Sequence, residues 1–271
     1  MSNLVEWGSE VAREAGAILV QYYERRVKVE YKAGKHDVDI VTEADRASEK
    51  HIVERIRAKF PGHSIVAEEG GGRESDSDYR WYVDPLDGTT NFAHSFPAFC
   101  VSLGVEKSGE MVAGVVFDPL RNELFTAERG SGAFLNSRPM SVSKVAGLSE
   151  SLLSTGFPSR KRHQNANIHF YYQLTMASHG VRRPGSAALD LCYVASGRLD
   201  GFWEFRLSPW DTAAGWLIVA EAGGRVADMH GERYGLRSES ILASNGFIHG
   251  QLIEVFAKIF RGEYAQPLPK T

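Results

Sequence analysis

The stretch that decides the fold is residues 81–92, Trp-Tyr-Val-Asp-Pro-Leu-Asp-Gly-Thr-Thr-Asn-Phe. Its apolar start, residues 81–83, predicts a strand that delivers Asp84 at its end. A proline and a glycine within the stretch favour a tight turn that holds Asp87 near Asp84. The Thr-Thr-Asn sequence at residues 89–91 is typical of the start of a helix.

Two carboxylates crowded at one turn repel each other, so the turn predicts a positive charge between Asp84 and Asp87. Oxygen ligands of this kind suit Mg²⁺, Mn²⁺ or Ca²⁺ better than zinc. The predicted helix start offers the backbone N–H groups of Gly88 and Thr89 to a phosphate. Together these features indicate metal-assisted phosphoryl transfer. The alternative is a turn that uses Asp, Pro and Gly for its geometry alone.

The hydrophobic pattern on both sides of this stretch predicts two helices and a largely antiparallel sheet in the first half of the chain. The helices are expected over residues 4–22 and 42–60, and a capping box of Thr42 and Asp45 begins the second. The strands are expected at residues 27–31, 63–68, 80–84, 99–106, 111–118 and 123–128.

The second half of the chain alternates between strand and helix patterns, which favours an α/β layer. Strands are expected at residues 151–156, 201–205, 224–229 and 240–245, and helices at residues 165–178, 187–196, 210–224 and 247–260. Because no linker or repeat separates the halves, we expect a single domain over residues 1–271, with approximate halves 1–145 and 146–271.

Composition excludes several classes of protein. The net charge of −3 gives no basic surface for a nucleic-acid backbone. No apolar run approaches the length of a membrane span, and the N-terminal residues lack the pattern of a secretory signal. The two cysteines, Cys100 and Cys192, are too few for a disulfide framework. We therefore expect a cytoplasmic protein with neither a nucleic-acid nor a membrane partner.

Four sequence blocks resemble those of the inositol monophosphatase family, in the family's order. They are VTEADRASEK (41–50), VAEEG (66–70), DPLDGTTNF (84–92) and SPWDTAAGWLIVAEAGG (208–224). The resemblance implies a layered αβαβα sandwich of the inositol monophosphatase and fructose-1,6-bisphosphatase type. It also implies two to three Mg²⁺ ions, for which Mn²⁺ can substitute, together with inhibition by Li⁺ and a homodimer.

The same resemblance implies roles for individual residues. The expected metal ligands are Glu68, Asp84, the backbone carbonyl of Leu86, Asp87 and Asp211. Thr89 is expected to orient the attacking water and to donate a hydrogen bond to Asp45; together with Glu68 they form the expected catalytic set. Alternatives remain, because Asp45 and Asp211 also suit the first turn of a helix. Glu69, beside Glu68, is a weaker candidate.

The substrate implied by the resemblance is a small phosphate monoester, with inositol monophosphate first. The expected substrate contacts are Asp87, Gly88, Thr89, Gly185, Ser186, Ala187 and Glu204. Histidinol phosphate, fructose 1,6-bisphosphate and a nucleotide phosphate are the alternative substrates, and a regulatory protein that keeps the fold is the alternative function. Surface positions remain the simpler interpretation for Lys32, Lys35, Arg182 and Arg183.

Overall fold

The computed structural model describes residues 3–25, 29–31, 40–157 and 166–267. Its helices are α1 Asn3–Arg25, α2 Glu43–Lys59, α3 Thr89–Ala93, α4 Asn167–Ala177, α5 Ala187–Ala195, α6 Pro209–Glu221 and α7 His249–Phe260. Its strands are β1 Val29–Tyr31, β2 Ile40–Thr42, β3 Ser64–Ala67, β4 Tyr79–Asp87, β5 Cys100–Lys107, β6 Glu110–Asp118, β7 Glu123–Glu128, β8 Gly132–Leu135, β9 Arg138–Met140, β10 Leu152–Thr155, β11 Gly180–Arg182, β12 Gly201–Phe205, β13 Arg225–Ala227 and β14 Ser240–Ser244.

The first sheet contains β3 to β9 in chain order. Only β3 and β4 run parallel, and the other pairs are antiparallel, as the hairpin pattern predicts. Side chains alternate across the sheet. Trp81 and Val83 pack towards α1 and α2, whereas Tyr82 joins the core on the opposite face. This sheet therefore buries both of its faces.

The second sheet has the strand order β11-β10-β12-β14-β13. One face packs on α4 and α7 through a core that includes Phe170, Trp203 and Phe256. Helices α5 and α6 lie between the two sheets and contribute to the central core. The layer order is thus α, β, α, β, α, which is the predicted sandwich. None of the described helices is long and apolar enough to cross a membrane.

Four short strands, β2, β8, β9 and β11, were not predicted. Other strands of three or four residues, such as β3 and β10, were predicted because apolar residues dominate their sequence. Lys32 and Lys35 lie outside the described residues. The division of the chain at residue 145 stays a prediction.

Two facing glycines allow α6 to lie against the first sheet. Gly104 of β5 pairs with Gly114 of β6. A Cβ atom at Gly104 would lie 2.6 Å from the Cβ of Ala213, and one at Gly114 would lie 2.7 Å from the carbonyl oxygen of Ala214. The sheet and the helix therefore meet almost backbone to backbone, without room for a side chain at either glycine.

We expect Gly104→Ala to lower the free energy of unfolding by about 1–3 kcal/mol, because overpacking displaces α6. The matched control is Gly250→Ala in α7, where a Cβ meets no atom within 4 Å and the change should stabilise the helix by about 0.5–1 kcal/mol. Urea unfolding of both variants measures the effect. Equal stability of the two variants would contradict the proposed close packing.

Candidate active site

The carboxyl ends of two parallel strands bring Glu68 and Asp84 to the same edge of the first sheet. Ala67 of β3 pairs with Val83 of β4, so the next residue of each strand is one of these acids. The Glu68 N–H donates to the carbonyl of Val83 at 3.3 Å. Asp84 is 1% exposed, and its Oδ1 accepts the N–H of Leu86 at 3.0 Å.

Asp87 connects this edge to the start of α5. The predicted strand end at Asp84 and tight turn after it are wrong, because β4 continues to Asp87. A shift in the register of β4 on β5 between Asp84 and Asp87 takes the place of the turn. Oδ2 of Asp87 accepts the Ser186 hydroxyl at 2.6 Å and the Ala188 N–H at 2.7 Å. The carboxylate thereby satisfies a free N–H group in the first turn of α5.

Asp211 lies in the first turn of α6, where its Oδ2 accepts the Ser208 N–H at 2.6 Å. This is the helix-start role considered as an alternative for Asp211. The Asp84 carboxyl group is close enough to influence the pKa of Asp211.

Electrostatics couples the four acids. Burial is the largest cause that raises the pKa of Asp84 well above its usual range, and the three other acids raise it further. Burial also raises the pKa of Asp211 well above its usual range, with added contributions from Asp87 and Glu68. Burial likewise raises the pKa of Asp87. These like charges are unfavourable together unless protons or a cation neutralise them.

The donor set suits a hard cation. Glu68, Asp84, Asp87 and Asp211 offer only carboxylate oxygens, which Mg²⁺ and Mn²⁺ prefer. Within the described parts of the chain, no three acidic, His or Cys side chains already converge as a closed coordination sphere. The residues fit a divalent cation by their chemistry and mutual repulsion, and ion binding would draw the carboxylates together.

Thr89 and Asp45 lie beside the acids. The Thr89 hydroxyl is 3.1 Å from Oδ1 of Asp45 and 3.1 Å from the carbonyl oxygen of Leu86. Oδ2 of Asp45 accepts both the N–H and the hydroxyl of Thr42, so the predicted capping box is present as well. Burial, as the largest cause, raises the pKa of Asp45 to about 6.

Helix α2 contributes two further residues that sequence reasoning missed. The Ser48 hydroxyl donates to the carbonyl of Pro85 at 2.9 Å, and the Glu49 carboxylate accepts the N–H groups of Glu69 and Gly71. Both side chains are buried. Polar residues of a helix that point into the protein are the signal that could have identified them, since 48 and 49 share a face with Asp45.

The turn that precedes α3 requires a glycine at position 88. Gly88 has φ of +99°, and a Cβ there would lie 2.7 Å from the carbonyl oxygen of Ala98. Helix α3 itself has only five residues. Its dipole is therefore small, and a phosphate here would depend on the N–H groups of Gly88 and Thr89.

The expected substrate contacts Gly185, Ser186, Ala187 and Glu204 come from the second half of the chain, and we call them the substrate wall. Glu204 of β12 is 7% exposed, and any Cβ at Gly156 would overlap its carboxylate. Burial, followed by the negative charge of Asp190, raises the pKa of Glu204 well above its usual range, while Arg183 opposes the shift. Asp190 is therefore a neighbour of Glu204. Arg182 and Arg183 are exposed, in agreement with the surface positions expected from the sequence, and Arg183 acts on Glu204 from there.

Asn91 links the acid-bearing turn to the wall. Its Nδ2 donates to the carbonyl oxygens of Ala98 at 2.7 Å and Pro184 at 2.8 Å. The bond to Pro184 holds the turn at Gly185, which has φ of +86°, and Ser186 then begins α5. The structure thus brings Gly185, Ser186 and Ala187 close to Asp87, as the resemblance implied.

Comparisons with known proteins agree on one family. The sequence model of the inositol monophosphatase family matches residues 1–262. The chain is 44% identical over 253 residues to the Nus factor SuhB of Pseudomonas aeruginosa, which covers 90% of this chain and 92% of that protein. It is also 44% identical over 261 residues to the inositol-1-monophosphatase of Synechocystis, with coverages of 94% and 90%. The solved inositol monophosphatase of Anabaena superposes with a TM-score of 0.83 at 44% identity, covering 93% of this chain and 94% of that one.

We expect Asp84→Asn to stabilise the metal-free protein and to abolish its stabilisation by Mg²⁺. The change removes a buried charge but keeps the acceptor for the Leu86 N–H. Because the folded-state pKa of Asp84 lies above its ordinary value of 3.8, the wild-type fold binds more protons than the unfolded chain and loses stability as the pH rises above that value. The advantage of the variant should therefore grow with pH.

Thermal unfolding in a chelator, from about pH 4 to pH 8, measures this difference, and repeating it with Mg²⁺ measures ligand stabilisation. Saturation at 100 times the dissociation constant adds about 2.7 kcal/mol to the wild type. Asp76→Asn, at an exposed loop position, is the control and should behave as wild type. An equal Mg²⁺ response of wild type and Asp84→Asn would contradict the assignment.

Proposed function

The chain belongs to the inositol monophosphatase family, and from this we propose that it hydrolyses a small phosphate monoester to an alcohol and inorganic phosphate. The observation that carries the proposal is the group of four interacting acids beside the Thr89–Asp45 pair. A fold kept for structural reasons alone would gain nothing from this repulsion, which costs stability without a cation.

In this proposal Glu68, Asp84, Asp87, Asp211 and the carbonyl of Leu86 hold two to three Mg²⁺ ions, with Mn²⁺ as a substitute. The bound ions would supply positive charge to the phosphoryl oxygens and would lower the pKa of a water molecule. Competition by Li⁺ is expected from the family. We further propose a homodimer in the cytoplasm.

The residues of the chain then have separate tasks. The Thr89 hydroxyl accepts a hydrogen bond from the attacking water and directs its own hydrogen towards Asp45, which lies 3.1 Å away. With a pKa of about 6, Asp45 is mainly ionised at neutral pH and can accept that hydrogen bond. The N–H groups of Gly88 and Thr89 bind phosphoryl oxygens. These contacts orient the phosphoryl group so that its phosphorus atom faces the attacking water.

The substrate wall favours a polyol phosphate. Glu204 offers a buried carboxyl group to neighbouring hydroxyl groups of a polyol, and its carbonyl oxygen accepts a hydrogen bond in either protonation state. We therefore propose inositol monophosphate as the substrate. Histidinol phosphate, fructose 1,6-bisphosphate and nucleotide phosphates are the alternatives within the same chemistry.

A regulatory protein that keeps the fold is the other alternative, and a relative named as a Nus factor is the reason to test it. We favour the enzyme because every proposed side-chain ligand is present, together with Thr89 and Asp45. A second role in contact with a macromolecule is compatible with catalysis.

We expect phosphate release from inositol monophosphate to depend on Mg²⁺, and Asp84→Asn to lower kcat/KM roughly a thousandfold, because loss of a ligand removes several kcal/mol of charge stabilisation. A panel with the four substrate classes, with and without Mg²⁺ and Li⁺, measures the activity. Asp76→Asn is the control. Full turnover by Asp84→Asn on the best substrate would disprove the catalytic assignment.

For Glu204→Gln we expect kcat/KM for inositol monophosphate to fall about 10- to 100-fold, because an amide NH₂ group replaces one acceptor oxygen and leaves a buried polar group without its partner. Turnover of p-nitrophenyl phosphate, which has no ring hydroxyls, should change little. Steady-state kinetics on both esters gives the comparison. Equal losses on the two substrates would assign Glu204 to general stability rather than to hydroxyl recognition.

A further inference from the structure

The turn after β3 is held from one side by the Glu49 carboxylate of α2. Its Oε2 accepts the Glu69 N–H at 2.6 Å and its Oε1 accepts the Gly71 N–H at 2.7 Å. Glu49 is 5% exposed. Hydrogen bonds of this length to an ionised acceptor are about twice as strong as neutral ones, so the two bonds form a firm anchor for residues 69–71.

The sequence of the turn matches this anchor. A Cβ at position 71 would lie 2.8 Å from Oε1 of Glu49, so a side chain there would push the carboxylate away. Arg57 follows Glu49 by eight residues in α2. Its side chain donates to the carbonyl of Gly71 at 3.0 Å. The same helix therefore contacts both polar groups of the Gly71 backbone.

Glu68 lies directly before the anchored residues. On its other side, the Glu68 N–H donates to the carbonyl of Val83 in the sheet, at 3.3 Å. The direction of the Glu68 side chain thus depends on where Glu69 and Gly71 are fixed. The contacts of Glu49 with the Glu69 and Gly71 N–H groups therefore fix the backbone next to Glu68.

We propose that Glu49 is a positioning residue, which holds the turn so that the Glu68 carboxylate faces Asp84 and can share a cation with it. The inference rests on the proposed function, because it takes Glu68 as a metal ligand. Residues that orient a ligand commonly change metal affinity 10- to 100-fold when they are replaced.

The chain contains a matched control for this clamp. Glu221, at the end of α6, accepts the N–H groups of Gly130 and Gly132 at 2.8 and 2.9 Å. This is the same arrangement of one glutamate and two amides, but it holds the β7–β8 turn. Glu221 is ten residues beyond Asp211, roughly 15 Å along the helix, so its loss should affect stability without affecting the metal site.

The experiment compares wild type with Glu49→Gln, Glu221→Gln and Glu68→Gln. Hydrogen exchange of the metal-free proteins reports the clamps, and calorimetric titration with Mn²⁺ reports the metal site. Glu49→Gln keeps one acceptor oxygen but presents an amide NH₂ to the second N–H. We expect faster exchange at residues 69 and 71 and at least a tenfold weaker affinity for Mn²⁺. Glu221→Gln should speed exchange at residues 130 and 132 and leave Mn²⁺ affinity unchanged.

A second pair of variants tests the same anchor without changing any charge. Gly71→Ala should also weaken Mn²⁺ binding, because the new Cβ displaces the Glu49 carboxylate, whereas Gly62→Ala meets no atom within 4 Å and should not. If Glu49→Gln does not fold, this pair of variants tests the positioning role of Glu49 by itself.

The outcomes separate the two proposals. Wild-type affinity for Mn²⁺ in both Glu49→Gln and Gly71→Ala would overturn the positioning role while leaving the metal site intact. Unchanged exchange at residues 69 and 71 in Glu49→Gln would overturn the clamp itself. Failure of the wild type to bind Mn²⁺ would instead overturn the proposed function, and the role of Glu49 with it.

Discussion

Repulsion between buried carboxylates is the constraint on which this molecule depends. Four acids from three segments of the chain lie where β3, β4 and α6 approach one another. Asp84 is buried and the other three are half-buried, so water screens their charges only in part. The surrounding protein supplies hydrogen-bond donors to two of these acids. A backbone N–H in the first turn of α5 donates to Asp87, and the N–H of Ser208 donates to Asp211. These donors offset only part of the cost, so the fold and the cation it is proposed to bind are energetically linked.

Much of the fold could be predicted because its long elements have clear periodicity. Helices α1 and α2, the β5–β6–β7 hairpins and the later alternation all appear where hydrophobic spacing indicated them. The layer order came from family resemblance, since periodicity does not say which faces meet. Strands β9 and β11 were missed because their pairing is decided by neighbours rather than by their own sequence.

The site was predictable where its residues adjoin in sequence and not where they only adjoin in space. Residues 84–92 contain two of the four acids, Asp84 and Asp87, together with Gly88 and Thr89 in one block. Asp190 beside Glu204, and Asn91 with the 184–186 turn, are contacts between distant segments. Asp45 shows that two local interpretations can both hold, because one oxygen caps α2 while the other faces Thr89. The roles of these residues in binding and catalysis stay predictions.

The glycine pair under α6 has a consequence for how the cation preference of the proposed ion site could change. Since Gly104 and Gly114 let the helix rest on backbone atoms, the height of Asp211 above the sheet does not depend on the size of any interdigitating side chain. The helix acts as a fixed spacer, and repacking elsewhere in the interior would leave the gap between Asp211 and Asp84 unaltered. Any change in which cation is preferred would then require substitution of the proposed ligands themselves, and not a movement of α6 relative to the sheet.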